Sequence, residues 1–195
     1  MKQKISTIII SIISLIIVAL IVILLVFFFS VPRQDAFVLD PTQTLQITDY
    51  INHFRAQNQA PPLVHDPNIA NVSQKYAEKL LQENKDKSPV ILKHSGNPAF
   101  GENLAFFQGF GNNKLQLLQE AVRLWYEEIK DYNFNQPGFS EQTGHFTALV
   151  WKSSSRFGIG IAIDPKTTRT FIVMNLAPPG NVMGRFRENV LPPVK

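Results

Sequence analysis

Four side chains that could bind a metal or act in acid–base catalysis lie close to apolar segments of the sequence: His94, Glu102, Glu128 and His145. Neutral imidazoles and carboxylates are the ligands that a divalent cation takes when thiols are absent, and the chain has no cysteine. Two carboxylates and two imidazoles could equally act as acid and base on a substrate. Because the four residues are far apart in the chain, spacing alone does not select them, and ordinary surface acids remain the alternative.

His145 belongs to the segment Gly144–Trp151, GHFTALVW, in which two sets of side chains alternate. This alternation predicts a largely buried β-strand. His145 would then lie at the mouth of the strand, next to a glycine that lets the backbone bend or lets another group approach closely. A histidine at a strand end can meet partners from distant parts of the chain, so we expect the site to be organised around it.

The other three residues lie in a loop and in a helix. His94 and Glu102 flank a segment with loop character, and a turn of this kind can bring the two side chains into one pocket. Glu128 falls in a predicted amphipathic helix, roughly Leu115–Tyr132, three residues after the apolar Trp125. That spacing places the carboxylate beside the buried stripe of the helix rather than opposite it.

The secondary-structure elements that must position these side chains are mostly helices in the first part of the chain and mostly strands in the last part. Asp40-Pro41 and Asp66-Pro67 each predict a helix start, with a capping carboxylate followed by proline at the first helical position. Alternating apolar residues predict strands at Gly158–Asp164 and Phe171–Leu176. This order predicts an α+β fold in which helices cover an antiparallel sheet.

The N-terminus predicts a membrane anchor. Residues 5–29 carry no charge and are apolar except for a few serines and threonines. As a helix at about 1.5 Å per residue they would span roughly 37 Å, enough to cross a bilayer with some tilt. The run ends in FFFSVP, a poor cleavage site, so we interpret it as an uncleaved anchor, with a cleaved signal peptide and secretion as the alternative.

Charge sets the expected topology and excludes one class of partner. Lys2 and Lys4 precede the anchor, so the positive-inside rule keeps the N-terminus in the cytosol and sends the domain out of it. We therefore expect residues 1–30 to be the anchor, 31–40 a tether and 41–195 one domain. The two lysines supply half of the formal charge of +4. The remaining balance is too even for nucleic acid to be a partner.

Four motifs follow one another along the chain: LKHS at residues 92–95, GENLA at 101–105, WYEEIKDYNF at 125–134 and GHFTALVWK at 144–152. With these motifs in this order, the sequence resembles the CAP superfamily, also called SCP or PR-1-like proteins, and the match runs from about Ile47 to Pro193. The segments PGNVMGRF and ENVLPP are similar to the Golgi-associated plant-pathogenesis-related branch.

The resemblance implies a three-layer α–β–α sandwich with an antiparallel central sheet. It also implies a cleft with two histidines, which fall on His94 and His145, and two carboxylates, which fall on Glu102 and Glu128. Family members bind divalent cations through these histidines, and we expect weak zinc binding here. Several members bind sterols, fatty acids or anionic phospholipids elsewhere on the domain. Most are not established enzymes, although protease activity has been proposed for some.

Two departures from the family affect these expectations. The chain lacks the cysteines common in secreted members, and it has an apolar N-terminus where the Golgi-associated relatives carry a myristoyl group. Such an anchor could put the domain on the opposite side of the membrane, in the secretory pathway or at the cell surface. Roles of that branch at the cytosolic leaflet therefore do not transfer to this chain.

We thus expect a membrane-anchored binding module with a divalent-metal cleft and a lipid- or sterol-binding surface. The alternative from another class is a metal-assisted hydrolase in which Glu102 or Glu128 acts as base. Self-association through the domain surface is a third hypothesis. Phe106, Phe107 and Phe110 either belong to the core or, if exposed together, contact lipid.

Overall fold

The computed structural model describes residues 16–17, 19–21 and 39–194, and the five N-terminal ones are helical. The predicted anchor and tether therefore lie largely outside the described residues. Within the described part of the chain, no helix is both long enough and apolar enough to cross a membrane.

The domain contains five α-helices, one 3₁₀ helix and four strands among the described residues. The α-helices are α1 Pro41–Gln57, α2 Pro67–Glu83, α3 Lys114–Glu127, α4 Gly144–Leu149 and α5 Phe186–Asn189, with the 3₁₀ helix at Glu128–Asp131. The strands are β1 Val64–His65, β2 Gly101–Phe107, β3 Arg156–Ile163 and β4 Thr170–Ala177.

The two predicted helix starts are confirmed, and each is fixed by its capping carboxylate. The Asp40 carboxylate accepts the Gln43 N–H at 2.8 Å, while the Gln43 side chain accepts the Asp40 N–H at 3.3 Å. At α2, the Asp66 carboxylate accepts the N–H groups of Asn68 and Ile69. Both helices begin with proline, whose missing N–H costs nothing at that position.

The α+β class is confirmed, but the sheet is mixed, so the prediction of an antiparallel sheet was wrong at one edge. The strand order is β1-β3-β4-β2. Strands β2 and β3 both run antiparallel to β4, whereas β1 runs parallel to β3. Strand β1 has two residues, which is too few to show a period, and most of the domain separates it from its parallel partner, as a crossover connection requires.

Helices pack on both faces of this sheet. On one face α2 approaches β3 so closely that a Cβ at Gly158 would lie 2.0 Å from the Ala70 nitrogen. A Cβ at Gly160 would lie 2.3 Å from the Gln74 nitrogen. On the other face, α1 and α3 pack against the isoleucines of β3 that point toward them, and together they form a larger buried apolar cluster. Its members include Ile47, Ile51, Leu118, Val122, Ile159 and Ile161.

Two elements differ from the sequence expectations near the site. The segment Gly144–Trp151 begins as helix α4 rather than forming a strand. All residues from Phe146 to Leu149 are buried, and a short segment buried on every side gives the same apolar pattern in either conformation. The second difference is strand β2, which begins directly after the expected loop and was not predicted. Its first residues, Gly-Glu-Asn, are types that strands disfavour, so they give no strand signal.

Candidate functional site

His145 is held by a carboxylate that also caps its helix. Helix α4 begins at Gly144, and its first N–H groups have no partner within the helix. Glu128 Oε2 accepts the N–H of His145 at 2.9 Å and that of Phe146 at 3.0 Å. The other oxygen of Glu128 lies 2.6 Å from His145 Nδ1. One side chain therefore fixes both the start of the helix and the orientation of the imidazole.

The position of Glu128 results from a change of helix type. Helix α3 was expected to run to Tyr132, but it ends at Glu127 and continues as the 3₁₀ helix. Trp125, in the last turn of α3, stacks on the His145 ring with centroids 6.2 Å apart and planes at 25°. Its indole N–H donates to the Leu104 carbonyl on strand β2 at 3.0 Å. The tryptophan thus joins the histidine to the edge strand.

Two asparagines outside the four predicted site residues hold the backbone around His145. Asn103 donates to the His145 carbonyl at 2.9 Å. Asn181 donates to the Gly144 carbonyl at 2.9 Å and accepts from the Thr147 hydroxyl at 2.7 Å. Asn181 has a φ of 58°, in the left-handed region that asparagine tolerates. The sequence signal for it is the turn-forming Pro-Gly-Asn run, which predicts a bend but no partner.

The second histidine–carboxylate pair is built differently. His94 Nδ1 lies 2.9 Å from Glu102 Oε1, which also accepts the Ser95 N–H at 2.8 Å. The His94 side chain is 62% exposed, whereas the Glu102 side chain is 7% exposed. The loop from His94 to Gly101 therefore folds back on β2, as the sequence predicted, and the carboxylate lies beneath the imidazole.

The pairing shifts the pKa values of both groups in His94–Glu102. The hydrogen bond to Glu102 raises the pKa of His94 above its ordinary value, outweighing the effect of partial burial. Burial alone would raise the pKa of Glu102, but hydrogen bonds from His94 and Ser95 bring it below its usual value. The carboxylate is therefore held as an anion, and it favours the protonated imidazole.

Both pairs meet the beginning of edge strand β2 through consecutive residues. Glu102 belongs to the first pair, and Asn103 bonds the backbone of His145 in the second. Successive side chains of a strand point to opposite faces, so the two pairs approach this strand end from its two sides. The structure thus brings all four predicted residues to one end of one strand.

Each of the two histidines keeps one ring nitrogen clear of its carboxylate. In each pair the carboxylate engages Nδ1, which leaves Nε2 as the ring nitrogen available to a metal. Among the described residues no group of three or more histidine, cysteine or acidic side chains has the arrangement of a metal site.

The three phenylalanines at the far end of strand β2 and in the loop after it are not exposed together. Phe107 is buried in the core, and the Phe106 ring packs 5.0 Å from that of Phe171. Phe110 is 64% exposed, with its ring 5.3 Å from that of Phe107. Glycines with positive φ on either side of Phe110, at 85° and 82°, make the sharp bends that present it. Of these three rings, Phe110 is the exposed one.

Comparison with known proteins gives consistent results. The profile of the cysteine-rich secretory protein family, CAP, matches residues 48–176. Golgi-associated plant pathogenesis-related protein 1 of Homo sapiens is 42% identical over 149 residues, which cover 74% of this chain and 89% of that protein. Protein PRY2 of Saccharomyces cerevisiae is 42% identical over 101 residues, 52% of this chain and only 28% of the yeast protein.

Solved structures agree on the fold. The crystal structure of NaASP2 with Zn²⁺ superimposes with a TM-score of 0.62. The alignment covers 84% of this chain and 90% of that one, at 16% sequence identity. At this identity the likeness concerns the fold alone.

Proposed function

This chain belongs to the cysteine-rich secretory protein (CAP) family, and we propose that its domain is a binding module that holds a divalent cation at His94 and His145. The observation that carries the proposal is the pairing of each imidazole with a carboxylate through Nδ1, at 2.9 and 2.6 Å. A carboxylate on one ring nitrogen fixes the tautomer and directs the other nitrogen toward a metal. Zinc is the cation we expect, because it accepts imidazole readily.

Weak and exchangeable binding follows from the number of ligands. Two histidines leave several coordination positions to water or to a bound molecule, whereas structural zinc sites use four protein ligands. Folding should therefore not depend on the metal. A bound cation would supply a positive charge at the end of strand β2, to which an anionic ligand could attach.

Zinc titration tests this proposal. His94→Ala and His145→Ala should each reduce zinc affinity at least about tenfold, since each removes one of two ligands. Neither change should alter the melting temperature without metal by much, because neither ring is part of the core. Isothermal titration of the full chain in detergent micelles measures the affinity. His53→Ala is the matched control, since that histidine bonds only Gln57 within its own helix. Wild-type zinc affinity in either site variant would overturn the shared site.

The second part of the proposal concerns membranes and lipids. We propose that residues 1–30 anchor the chain and that the domain lies outside the cytosol. The two lysines before an uncharged apolar segment support this topology. The exposed Phe110, presented by its glycine bends after the far end of strand β2, supports contact with a lipid or sterol. Protease added to sealed microsomes should leave the domain intact until detergent is added, and digestion in intact vesicles would reverse the topology.

The hydrolase alternative receives less support from the electrostatics. A general base works best with a pKa near the working pH, whereas the pKa of Glu102 is held below its usual value. Glu128 uses both oxygens on the start of helix α4 and on His145. We therefore expect no turnover of peptide, ester or glycan substrates above a His94→Ala control, with zinc or magnesium present. Activity abolished by His94→Ala and by Glu102→Gln would favour the hydrolase.

A further inference from the structure

Two buried oxygen acceptors beside the site have no donor. Glu102 Oε2 and Asn175 Oδ1 are both inaccessible to solvent, and neither has a hydrogen-bond partner among the described residues. Leaving a buried acceptor unsatisfied destabilises the fold, and a charged acceptor does so more than a neutral one. Two such atoms in one place therefore require an explanation.

The two side chains are direct neighbours in the sheet. Glu102 on β2 and Asn175 on β4 are Cα partners in the antiparallel ladder. Side chains of directly opposed residues lie on the same face, with Cβ atoms about 4.5–5.5 Å apart. This is the face that helix α2 covers, because the Asn175 side chain also reaches Ser73 on that helix, with Nδ2 to Oγ at 3.0 Å. Glu102 and Asn175 thus share an enclosed space between sheet and helix.

We infer that Asn175 is the positioning residue of the His94–Glu102 pair, with its amide nitrogen donating to Glu102 Oε2 and its amide oxygen accepting from the Ser73 hydroxyl. This arrangement turns the amide by half a rotation from the one in which the nitrogen faces Ser73. Amide oxygen and nitrogen occupy almost the same volume, so hydrogen bonds alone decide between the two orientations. The inference rests on the proposed function in one respect only, namely that the His94–Glu102 pair binds the metal.

The exchange of hydrogen bonds favours this orientation. With the nitrogen on Ser73, the hydroxyl donates to the carbonyl of Ile69 or of Gly158, which lie at 3.1 and 3.0 Å. A hydroxyl has one proton, so only one of these carbonyls can receive it in any case. Turning the amide replaces that bond by one to the Asn175 oxygen, and it gives the buried carboxylate a donor. A hydrogen bond to a charged acceptor is roughly twice as strong as a neutral one.

The consequence is a carboxylate fixed at both oxygens. Glu102 Oε1 is held by His94 and the Ser95 N–H, and Oε2 would be held by Asn175. The carboxylate then cannot rotate, so the imidazole that it orients is fixed too. Ser73, Asn175, Glu102 and His94 form a chain of contacts from helix α2, through the sheet, to the proposed metal ligand.

Exchanging the donor and the acceptor between positions 102 and 175 tests the inference. Asn175→Asp places two carboxylates face to face, and the folding constant should fall roughly a hundredfold. Glu102→Gln should change it less than about threefold, because the amide oxygen of glutamine still accepts from Ser95 and its nitrogen can turn to Asn175. In the double variant the glutamine nitrogen would donate to the aspartate. Its folding constant should therefore return to within about tenfold of Glu102→Gln alone.

The measurement uses the full chain in detergent micelles, unfolded in urea. The two tryptophans, Trp125 and Trp151, are both buried in the domain, so their fluorescence reports its unfolding. The matched control is Asn84→Asp, because Asn84 is also buried and bonds the Ile91 backbone rather than Glu102. Glu102→Gln should not rescue that variant. If Asn175→Asp fails to fold, the double variant still decides, since a change at position 102 restores it only if the side chains at positions 102 and 175 contact each other.

Two outcomes would overturn the inference. One is a double variant as unstable as Asn175→Asp alone, which would give Asn175 a structural role unrelated to Glu102. The other is a crystal structure in which a water molecule lies between Glu102 Oε2 and Asn175, since that water would supply the missing donor. None of these measurements involves a metal, so the positioning role and the proposed metal binding can fail independently.

Discussion

The two histidine–carboxylate pairs use the same residue types for different purposes. In His145–Glu128 both side chains are partly exposed, at 33% and 21%, and the carboxylate also bonds two N–H groups of helix α4. In His94–Glu102 the histidine is largely exposed and the carboxylate is buried, and no helix end depends on it. Glu128 is thus a part of the fold that also orients an imidazole, whereas Glu102 serves mainly to orient one.

Because of this difference, substitutions at Glu128 and at Glu102 should affect folding stability and metal affinity in different proportions. A change at Glu128 removes the start of a helix together with a ring contact, so its effect on affinity cannot be read without its effect on folding. A change at Glu102 leaves the main-chain hydrogen bonds of the regular elements in place. Substitutions in the His94 pair are therefore the better probe of metal affinity. Substitutions in the His145 pair are the better probe of how the site contributes to folding stability.

The largest expected effect is the pH dependence of zinc binding. A protonated imidazole is not a ligand, so each histidine costs about tenfold in affinity per pH unit below its pKa. Between pH 7.5 and pH 5.5 the zinc affinity of the full chain should fall roughly a hundredfold. Because the pKa of His94 is raised, its share of the loss should begin above pH 6.5.

Nuclear magnetic resonance of the His94 ring, without metal, checks the cause. Its titration midpoint should lie above 6.5 and should move down in Glu102→Gln, because the charged hydrogen-bond acceptor is gone. Because the pKa of His94 is raised, the hydrogen bond from its protonated ring to Glu102 stabilises the folded state. This contribution to the free energy of unfolding is present at low pH and is lost as pH rises through the raised pKa. Its size is small because the ring is mostly exposed. A His94 midpoint at or below 6.5 would contradict the pairing.

The second effect concerns folding stability. Glu128→Gln should lower the free energy of unfolding by about 2 kcal/mol, because a neutral amide replaces the charged acceptor that holds both the helix start and the ring. Glu102→Gln should change it by less than about 0.5 kcal/mol. Glu127→Gln, one residue earlier in the chain, is the matched control, since Glu127 forms ion pairs with Arg123 and Lys130 and does not contact α4 or His145. Urea unfolding measures all three, and equal losses at Glu102 and Glu128 would remove the distinction between the pairs.

The smallest effect concerns the asparagine that supports only the His145 side. Asn181→Gly keeps a residue that tolerates the positive φ but removes the bonds to Gly144 and Thr147, at a cost of about 1 kcal/mol. Asn181→Ala should cost more, because it adds backbone strain. The ring resonances of His145 should shift in both variants while those of His94 stay unchanged. A shift at His94 of the same size would show that the two pairs are coupled through more than strand β2.

Sequence reasoning located the site residues through a family resemblance rather than through spacing. His94 and Glu102 were expected to meet across a loop, and the structure brings them together. The direct contact between Glu128 and His145 could not be predicted from local patterns, because it depends on the end of α3 tightening into a 3₁₀ helix and on α4 being a helix. The apolar pattern of Gly144–Trp151 suits a buried strand as well as a buried helix, and the cap that decides between them comes from another element.

The sequence by itself determined the features that act over a few residues. The capping carboxylates and prolines set the starts of α1 and α2, and the alternating isoleucines set strand β3, because these signals depend only on neighbours in the chain. Only the tertiary structure decided which asparagine reaches which backbone group and that β1 runs parallel to β3. It also decided that Glu102 and Asn175 are neighbours in the β2–β4 ladder. Such contacts join residues from distant parts of the chain, and their geometry exists only once the helices have packed on the sheet.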